Sequence, residues 1–166
     1  FRTLLRRRLR QPILLTARCC EGCGATLDQY GDHYVSCMKT GRVQTRAKPN
    51  ERAWERVLRE AGATTYFQHL LRNTTLALNV DPSDNRGIDV LATGLPLFQG
   101  RTLFGDAAFR SPLRADGTPH PGAARHGGIV LERAETIKFD TYHDVASNAN
   151  SELLVLGCEV GGRWDD

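Results

Sequence analysis

The sequence contains no long hydrophobic run. Its longest unbroken apolar stretch is Leu153-Leu154-Val155-Leu156, far short of the roughly 18 residues a membrane-spanning helix requires, so any membrane role would be peripheral. It holds no phosphate-binding glycine loop, no Gly-x-Ser-x-Gly elbow and no His-Glu-x-x-His pair, so the chemistries those motifs carry have no footing here. Repeats and low-complexity tracts are also missing. With 40% apolar, 25% charged and 7% aromatic residues, the mix is that of a globular domain and excludes wholesale disorder, collagen-like repeats and coiled coil. A length of 166 residues suffices for one domain, or one with a small appendage, and a core of that size buries about 70% of the unfolded surface. No initiating methionine is present. A chain that starts at Phe1 reads as a fragment or a processed form of something longer.

What is present is unevenly spread. Residues 1 to 60 carry 13 Lys/Arg against 6 Asp/Glu, and residues 61 to 166 carry 9 against 13. A basic front suits phosphate backbones, and an acidic rear could hold a hard divalent cation, although such a split is also ordinary solvated surface. Phe1 to Arg10 contains five arginines and no acid, which fits a nuclear address, a phosphate-binding arm, a transit-like stretch or a solvated helix end. Cysteine is odd in number, five, with four crowded into residues 19 to 37. That pattern favours a reduced compartment and a metal over a disulfide framework.

Residues 19 to 42 are poor in apolar side chains and rich in Cys and Gly, so the segment needs a metal to fold. Asn50 is expected to cap a helix whose stripe is Ala53, Trp54, Val57, Leu58 and Ala61, with Gly62 as the stop. Thr64 to Leu71 and Thr75 to Val80 read as a strand pair bounded by Asp81-Pro82-Ser83-Asp84-Asn85. Gly87 to Ala92 and Thr102 to Phe109 are strand-like, each with one aspartate among apolar neighbours, where strands are depleted in Asp. Residues 110 to 128 form a loop with three prolines and four glycines. Ile129 to Ala146 reads as a helix and Leu153 to Val160 as a buried strand. The order predicts an α/β mixed sheet with helices packed against it.

Three constellations could carry chemistry. Cys20-Glu21-Gly22-Cys23, nine residues, then His33-Tyr34-Val35-Ser36-Cys37 supplies two close ligand pairs on a short loop, the spacing a tetrahedral zinc requires. Cys19 is the alternative first ligand, and four protein ligands would make the zinc structural. Asp89 and Asp106, on adjacent strands, could share one divalent cation such as Mg2+, or each could pair with an arginine such as Arg86 or Arg110. Lys138 and Tyr142 lie one turn apart on a sector with Ile137, Val130, Thr141, Ala134, Val145 and Leu131, opposite Glu132, Thr136, Asp140 and Asp144. A lysine there either snorkels out or is held toward a negative group. His69, His120, His126 and His143 show no ligand spacing, and Cys158 reads as an inert buried thiol.

The run Cys20-x2-Cys23, Gly31-Asp32-His33-x3-Cys37 and a basic stretch leading into residues 50 to 62 resembles the zinc-binding segment before the endonuclease domain of site-specific non-LTR retrotransposons. Residues 18 to 164 are similar to that segment and domain together. The resemblance implies the PD-(D/E)xK, or restriction-endonuclease-like, fold: a mixed sheet flanked by helices, in the order helix, three strands, helix, strand, with a small N-terminal zinc knuckle. It divides the chain into a basic segment (1–18), the knuckle (19–45) and an endonuclease-like domain (46–166). Asp89 matches the first motif aspartate and Asp106 the second acid, while Lys138 and Tyr142 resemble the Lys and Tyr of the following helix. Ile88 replaces the motif proline, Ala108 stands where the superfamily lysine would follow the acid, and Lys48-Pro49 replaces a basic residue and histidine before the first helix.

The implied activity is Mg2+-dependent hydrolysis of DNA by Asp89, Asp106, Lys138 and Tyr142, with Glu51 or Glu55 as an outer carboxylate. Structural Zn2+ would sit on Cys20, Cys23, His33 and Cys37. Arg6, Arg7, Arg8, Arg46 and Lys48 would contact nucleic acid, mainly at phosphates. Implied partners are DNA, element RNA and a reverse transcriptase domain of the same polyprotein, in an intracellular, nuclear setting. The rival readings are a catalytically inactive zinc module that binds nucleic acid and an interaction domain with no nucleic acid partner.

Overall fold

The computed structural model describes every residue except Leu15, Ala77, Asn79, Ala115, Gly117, Asp165 and Asp166, and leaves the side chains of Arg8 and Met38 undescribed. Its elements are α1 (Arg2–Arg8), α2 (Asp32–Ser36), α3 (Arg42–Glu60), β1 (Thr64–Leu70), β2 (Gly87–Thr93), β3 (Thr102–Arg110), α4 (Ile129–Thr141), α5 (His143–Ala146) and β4 (Ser151–Glu159). Two compact units result. One comprises Phe1–Arg46, Phe109–Glu132 and Cys158–Asp166, and the other Ala47–Ala108 with Arg133–Gly157.

The sheet order is β1-β2-β3-β4. β1 and β2 pair antiparallel with Phe67 opposite Val90 and His69 opposite Ile88, and β2 and β3 pair antiparallel with Val90 opposite Gly105. The sheet is mixed and flanked by helices, so β4 runs parallel to β3 after the helical crossover that parallel neighbours require. An α/β class with this sheet is therefore observed.

The second unit has two apolar clusters. Leu71, Ile88, Leu91, Phe104, Tyr142, Val145 and Leu153 form one, and Leu58, Ala63, Val90, Ala92, Leu95 and Leu103 the other. Phe104, Ile88 and Leu71 are fully buried, each contributing about 1.5–3 kcal/mol relative to exposure.

Several local expectations are corrected. The first long helix begins at Arg42, not Asn50, so Asn50 is an interior residue and caps nothing. Pro49 lies inside α3 and forfeits one backbone hydrogen bond. The face turned inward also differs, since Ala53 and Val57 are exposed while Glu51, Trp54 and Glu55 are half-buried beside buried Leu58. Thr75, Leu76, Leu78 and Val80 are in no strand, and Ala77 and Asn79 lie outside the described residues. Leu76, Leu78 and Val80 instead pack on the first cluster from irregular backbone. The expected helix Ile129 to Ala146 is broken at Tyr142 (φ −112°, ψ 36°). Its inward stripe omits Ile137 and Thr141, which are exposed, and consists of Val130, Leu131, Ala134, half-buried Lys138, Tyr142 and Val145. Among the described residues no helix is long and apolar enough to cross a membrane.

Candidate active site and metal centre

In the first unit, Cys20 and Cys23 sit on a tight turn. Cys20 N–H donates to the Ala25 carbonyl and Gly24 N–H to the Cys20 carbonyl, both at 2.8 Å, and Gly24 takes φ +74°, a value that costs glycine nothing. Gly22 is needed for a different reason. A Cβ there would meet Thr40 Cγ2 at 2.8 Å and the backbone of Lys39 and Thr40 at 3.0 Å. The second ligand pair comes from α2, where His33 lies in the helix and Cys37 is its C-cap, with Cys37 N–H donating to the His33 carbonyl at 2.9 Å.

Asp28 aims that helix. Its carboxylate accepts the N–H groups of Tyr30 (2.9 Å), Asp32 (3.1 Å) and His33 (2.7 Å). These bonds hold its pKa below the ordinary range against the burial that opposes them.

The ligand atoms of Cys20, Cys23, His33 and Cys37 all lie within 4.8 Å of one another, a group that can hold a metal ion. Cys20 Sγ is 3.8 Å from Cys37 Sγ, and Cys23 Sγ is 3.2 Å from His33 Nε2. A tetrahedron with metal–sulfur bonds of about 2.3 Å has sulfur–sulfur edges of about 3.8 Å, so the donor set and spacing are consistent with zinc. The Gly22 N–H directed at Cys20 lowers that thiol to about 6, toward the thiolate a metal needs. Cys23 is raised: the Ala25 N–H works downward, but burial and the neighbouring Cys20 and Cys37 sulfurs outweigh it. Cys19, the alternative first ligand, is exposed and bridges Thr26 through its backbone. Cys158 is buried, and burial raises its thiol.

In the second unit a row of polar groups crosses three strands. Asp89 is the third residue of β2 and Asp106 the fifth of β3, so neither is a strand-end cap. Extending the register one step past Val90 and Gly105 sets Asp89 opposite Asp106, and the β1–β2 register sets Gln68 opposite Asp89. Here Asp89 Oδ2 accepts the Ala107 N–H at 2.8 Å. Gln68 adopts φ +53°, a left-handed conformation that costs a non-glycine residue on the order of 1–3 kcal/mol. Its side-chain amide donates to Asp89 Oδ1 at 2.9 Å and to Glu51 Oε2 at 3.2 Å.

Asp106 is 3% exposed and ion-paired with Lys138 of α4. Burial pushes its carboxyl up to about 7; Lys138 pulls it back, and Asp89 adds to the rise. Glu51 is raised as well, first by burial and then by the Asp89 charge. Lys138 Nζ lies 5.8 Å from the centre of the Tyr142 ring. The Tyr142 hydroxyl donates to the Gly87 carbonyl at 2.7 Å, and burial, then Asp106 and Asp89, raise its pKa. Tyr142 therefore meets the lysine by its ring, while its hydroxyl holds the start of β2. Arg86, one alternative partner for the aspartates, forks instead onto Asp84 and Asp144, each at 2.8 Å or less. Glu55 turns to Arg59 (3.1 Å) and Thr65 (3.0 Å), which leaves Glu51 as the α3 carboxylate facing this row.

The residues expected to touch nucleic acid are only partly brought together. Arg6 and Lys48 are exposed, and the Arg8 side chain is outside the described set. Arg7 and Arg46 line one cavity with Arg42, a residue not among those expected from the sequence. Gln68 and Asp28 were also missed. Asp28 carries a signal, since an Asp four residues before a helix start, in Asp28-Gln29-Tyr30-Gly31, is a turn former; Gln68 carries none. No protein-family model, curated protein or solved structure matches the chain.

Proposed function

We propose that the chain is a metal-dependent DNA endonuclease domain of the restriction-endonuclease-like kind, preceded by a zinc knuckle. The observation that carries this reading is the Asp89–Asp106 pair with Lys138 seated on Asp106. Support comes from its setting, a helix, three antiparallel strands, a helix and a parallel strand, with the two acids on the second and third strands.

Asp89 and Asp106 would hold Mg2+, which when bound supplies Lewis-acid activation of water and charge neutralisation at a phosphodiester. Two carboxylates suit a hard cation that keeps most of its own waters. Gln68 fixes Asp89 by its amide and ties Glu51 to the same row. Lys138 presents a positive charge where negative charge grows on the phosphate oxygens during in-line hydrolysis, and the Tyr142 ring holds that ammonium in place. Ala108 is buried at 1% exposure, and among the described residues the lysine paired with Asp106 comes from the helix. In the first unit, Cys20, Cys23, His33 and Cys37 would hold zinc with no open position, a structural role. The arginine-rich front would bind DNA, and element RNA and a reverse transcriptase domain of one polyprotein are its proposed companions in the nucleus.

The test is nicking of supercoiled plasmid by zinc-loaded protein with and without Mg2+, beside Asp106→Ala. Nicking that needs Mg2+ and disappears in the variant, with DNA binding retained, is the expected result. Equal inertness of both proteins, each still binding DNA, would replace the reading with an inactive nucleic-acid-binding module.

A further inference from the structure

The first unit holds a concentration of charge that the proposed cleavage does not use. Arg7 of α1, Arg18, and Arg42 and Arg46 of α3 line one cavity of about 680 Å3 with Tyr34, and Glu21 is the one carboxylate among the described residues lining it. Arg42 and Arg46 are one helical turn apart, so their guanidinium groups share a face. Both are held at the Tyr34 ring, Arg42 at 4.1 Å and Arg46 at 5.9 Å from its centre, within the range of a cation–π contact.

These cations are incompletely paired. Arg42 reaches Glu21 only at 3.5 Å, and Arg7 reaches Asp32 at 3.5 Å, whereas Arg10 takes the closer position on Asp32 at 2.7 Å. Arg42 Nη1 and Arg7 Nε are buried with no hydrogen-bond partner. A buried charged donor without an acceptor is costly, and several arginines around one cavity repel each other. In keeping with this, burial and then the charges of Arg7 and Arg42 lower the Arg46 pKa.

The missing component is an anion with several acceptor oxygens, and guanidinium forks match phosphate oxygens in pairs. Tyr34 is 42% exposed, which leaves aromatic surface beside the cations for a base to stack on. We propose that the Arg7, Arg42 and Arg46 pocket, walled by the cysteine-bearing hairpin, seats a backbone phosphate of a nucleic-acid strand with a neighbouring base against Tyr34. This names a specific seat within the DNA-binding role proposed above, and it stands whether or not the second unit cleaves.

The experiment uses the full zinc-loaded chain in Mg2+-free buffer, so binding is read without cleavage. A fluorescent short single strand is titrated by anisotropy over a range of salt, with inorganic phosphate as competitor, for wild type, the Arg42→Gln/Arg46→Gln pair, and Arg42→Lys. The Gln pair should weaken the strand at least about 10-fold and reduce the salt slope by about 1 or more, as loss of phosphate contacts requires. Arg42→Lys keeps the charge but not the fork, and should lose about threefold or more. Co2+ bound at the cysteines gives a thiolate spectrum that reports whether each variant keeps its fold. Should the Gln pair lose that spectrum, Arg42→Lys carries the test alone. Unchanged affinity and salt slope in a variant that keeps the spectrum would overturn the proposal. So would inorganic phosphate binding that the Gln pair abolishes while strand affinity stays intact, because the seat would then belong to free phosphate.

Discussion

Replacing Asp106 by Asn should stabilise the Mg2+-free protein while removing the proposed cleavage. The wild-type carboxyl rises from an ordinary 3.8 to about 7, chiefly through burial, which corresponds to about 4 kcal/mol of stability lost once the group is forced to ionise. An acid held above its unfolded value keeps its proton longer in the folded chain, so stability falls as pH climbs from about 4 to 7 and stays low above that. Asparagine does not titrate and escapes this loss. The pull of Lys138 on the carboxylate is already contained in that rise, so its loss is not subtracted again. The gain at pH 8 is therefore up to about 4 kcal/mol, or a Tm higher by up to about 8–16 °C. The assay is thermal unfolding of zinc-loaded protein in Mg2+-free buffer from pH 5 to 8. The advantage of Asp106→Asn should widen by about 1.4 kcal/mol per pH unit up to about pH 7 and then level off. Added Mg2+ should raise the Tm of wild type and leave the variant unmoved. A variant less stable than wild type at pH 8, or an advantage independent of pH, would show that the buried Asp106 carboxylate does not destabilise the metal-free fold.

Three other outcomes follow from the geometry. Lys138→Met should reduce plasmid nicking by about 10²-fold or more while DNA affinity changes less than about threefold, since the lysine acts on developing charge rather than on binding; equal losses in both would assign it to binding. Gln68→Gly removes the left-handed strain and the amide together, so it should leave the Tm unchanged or raised by a few degrees yet weaken Mg2+-dependent cleavage, and unaltered cleavage would show that Gln68 does not hold Asp89. Cys37→Ser should lower zinc affinity at least about 10-fold and destabilise the first unit, whereas Cys19→Ser should bind zinc like wild type, measured by competition with a chromophoric chelator.

The parts of this molecule that could be read from sequence are those whose chemistry forbids a bland placement. The Cys20 to Cys37 ligand spacing was readable because a segment so poor in apolar residues has no other way to fold. Asp89 and Asp106 stood out because strand interiors rarely admit a carboxylate. Lys138 was visible as a charge on an apolar helix stripe, although Ile137 and Thr141 were wrongly placed on it. Other features depended on tertiary context. Asn50 reads as a helix cap directly after Pro49, yet the helix starts at Arg42 and continues through Pro49. Leu76, Leu78 and Val80 alternate like a strand, but the apolar cluster needs their side chains and not their ladder bonds. Gln68 combines a left-handed backbone with an amide that bridges two carboxylates, and both of those lie on other elements. The sequence alone does not separate Glu51 from Glu55. The distinction rests on which of them finds Arg59 and Thr65, a matter of where α3 lies against β1.

The Asp89 and Asp106 carboxylates are proposed to form a site for a hard divalent cation. This is tested most directly by titrating zinc-loaded protein with Mn2+, followed by electron paramagnetic resonance, for wild type beside Asp89→Asn and Asp106→Asn. Saturable Mn2+ binding that Mg2+ displaces and that each substitution weakens at least about 10-fold is expected. Binding of equal strength in all three proteins, or none in wild type at millimolar Mn2+, would contradict it.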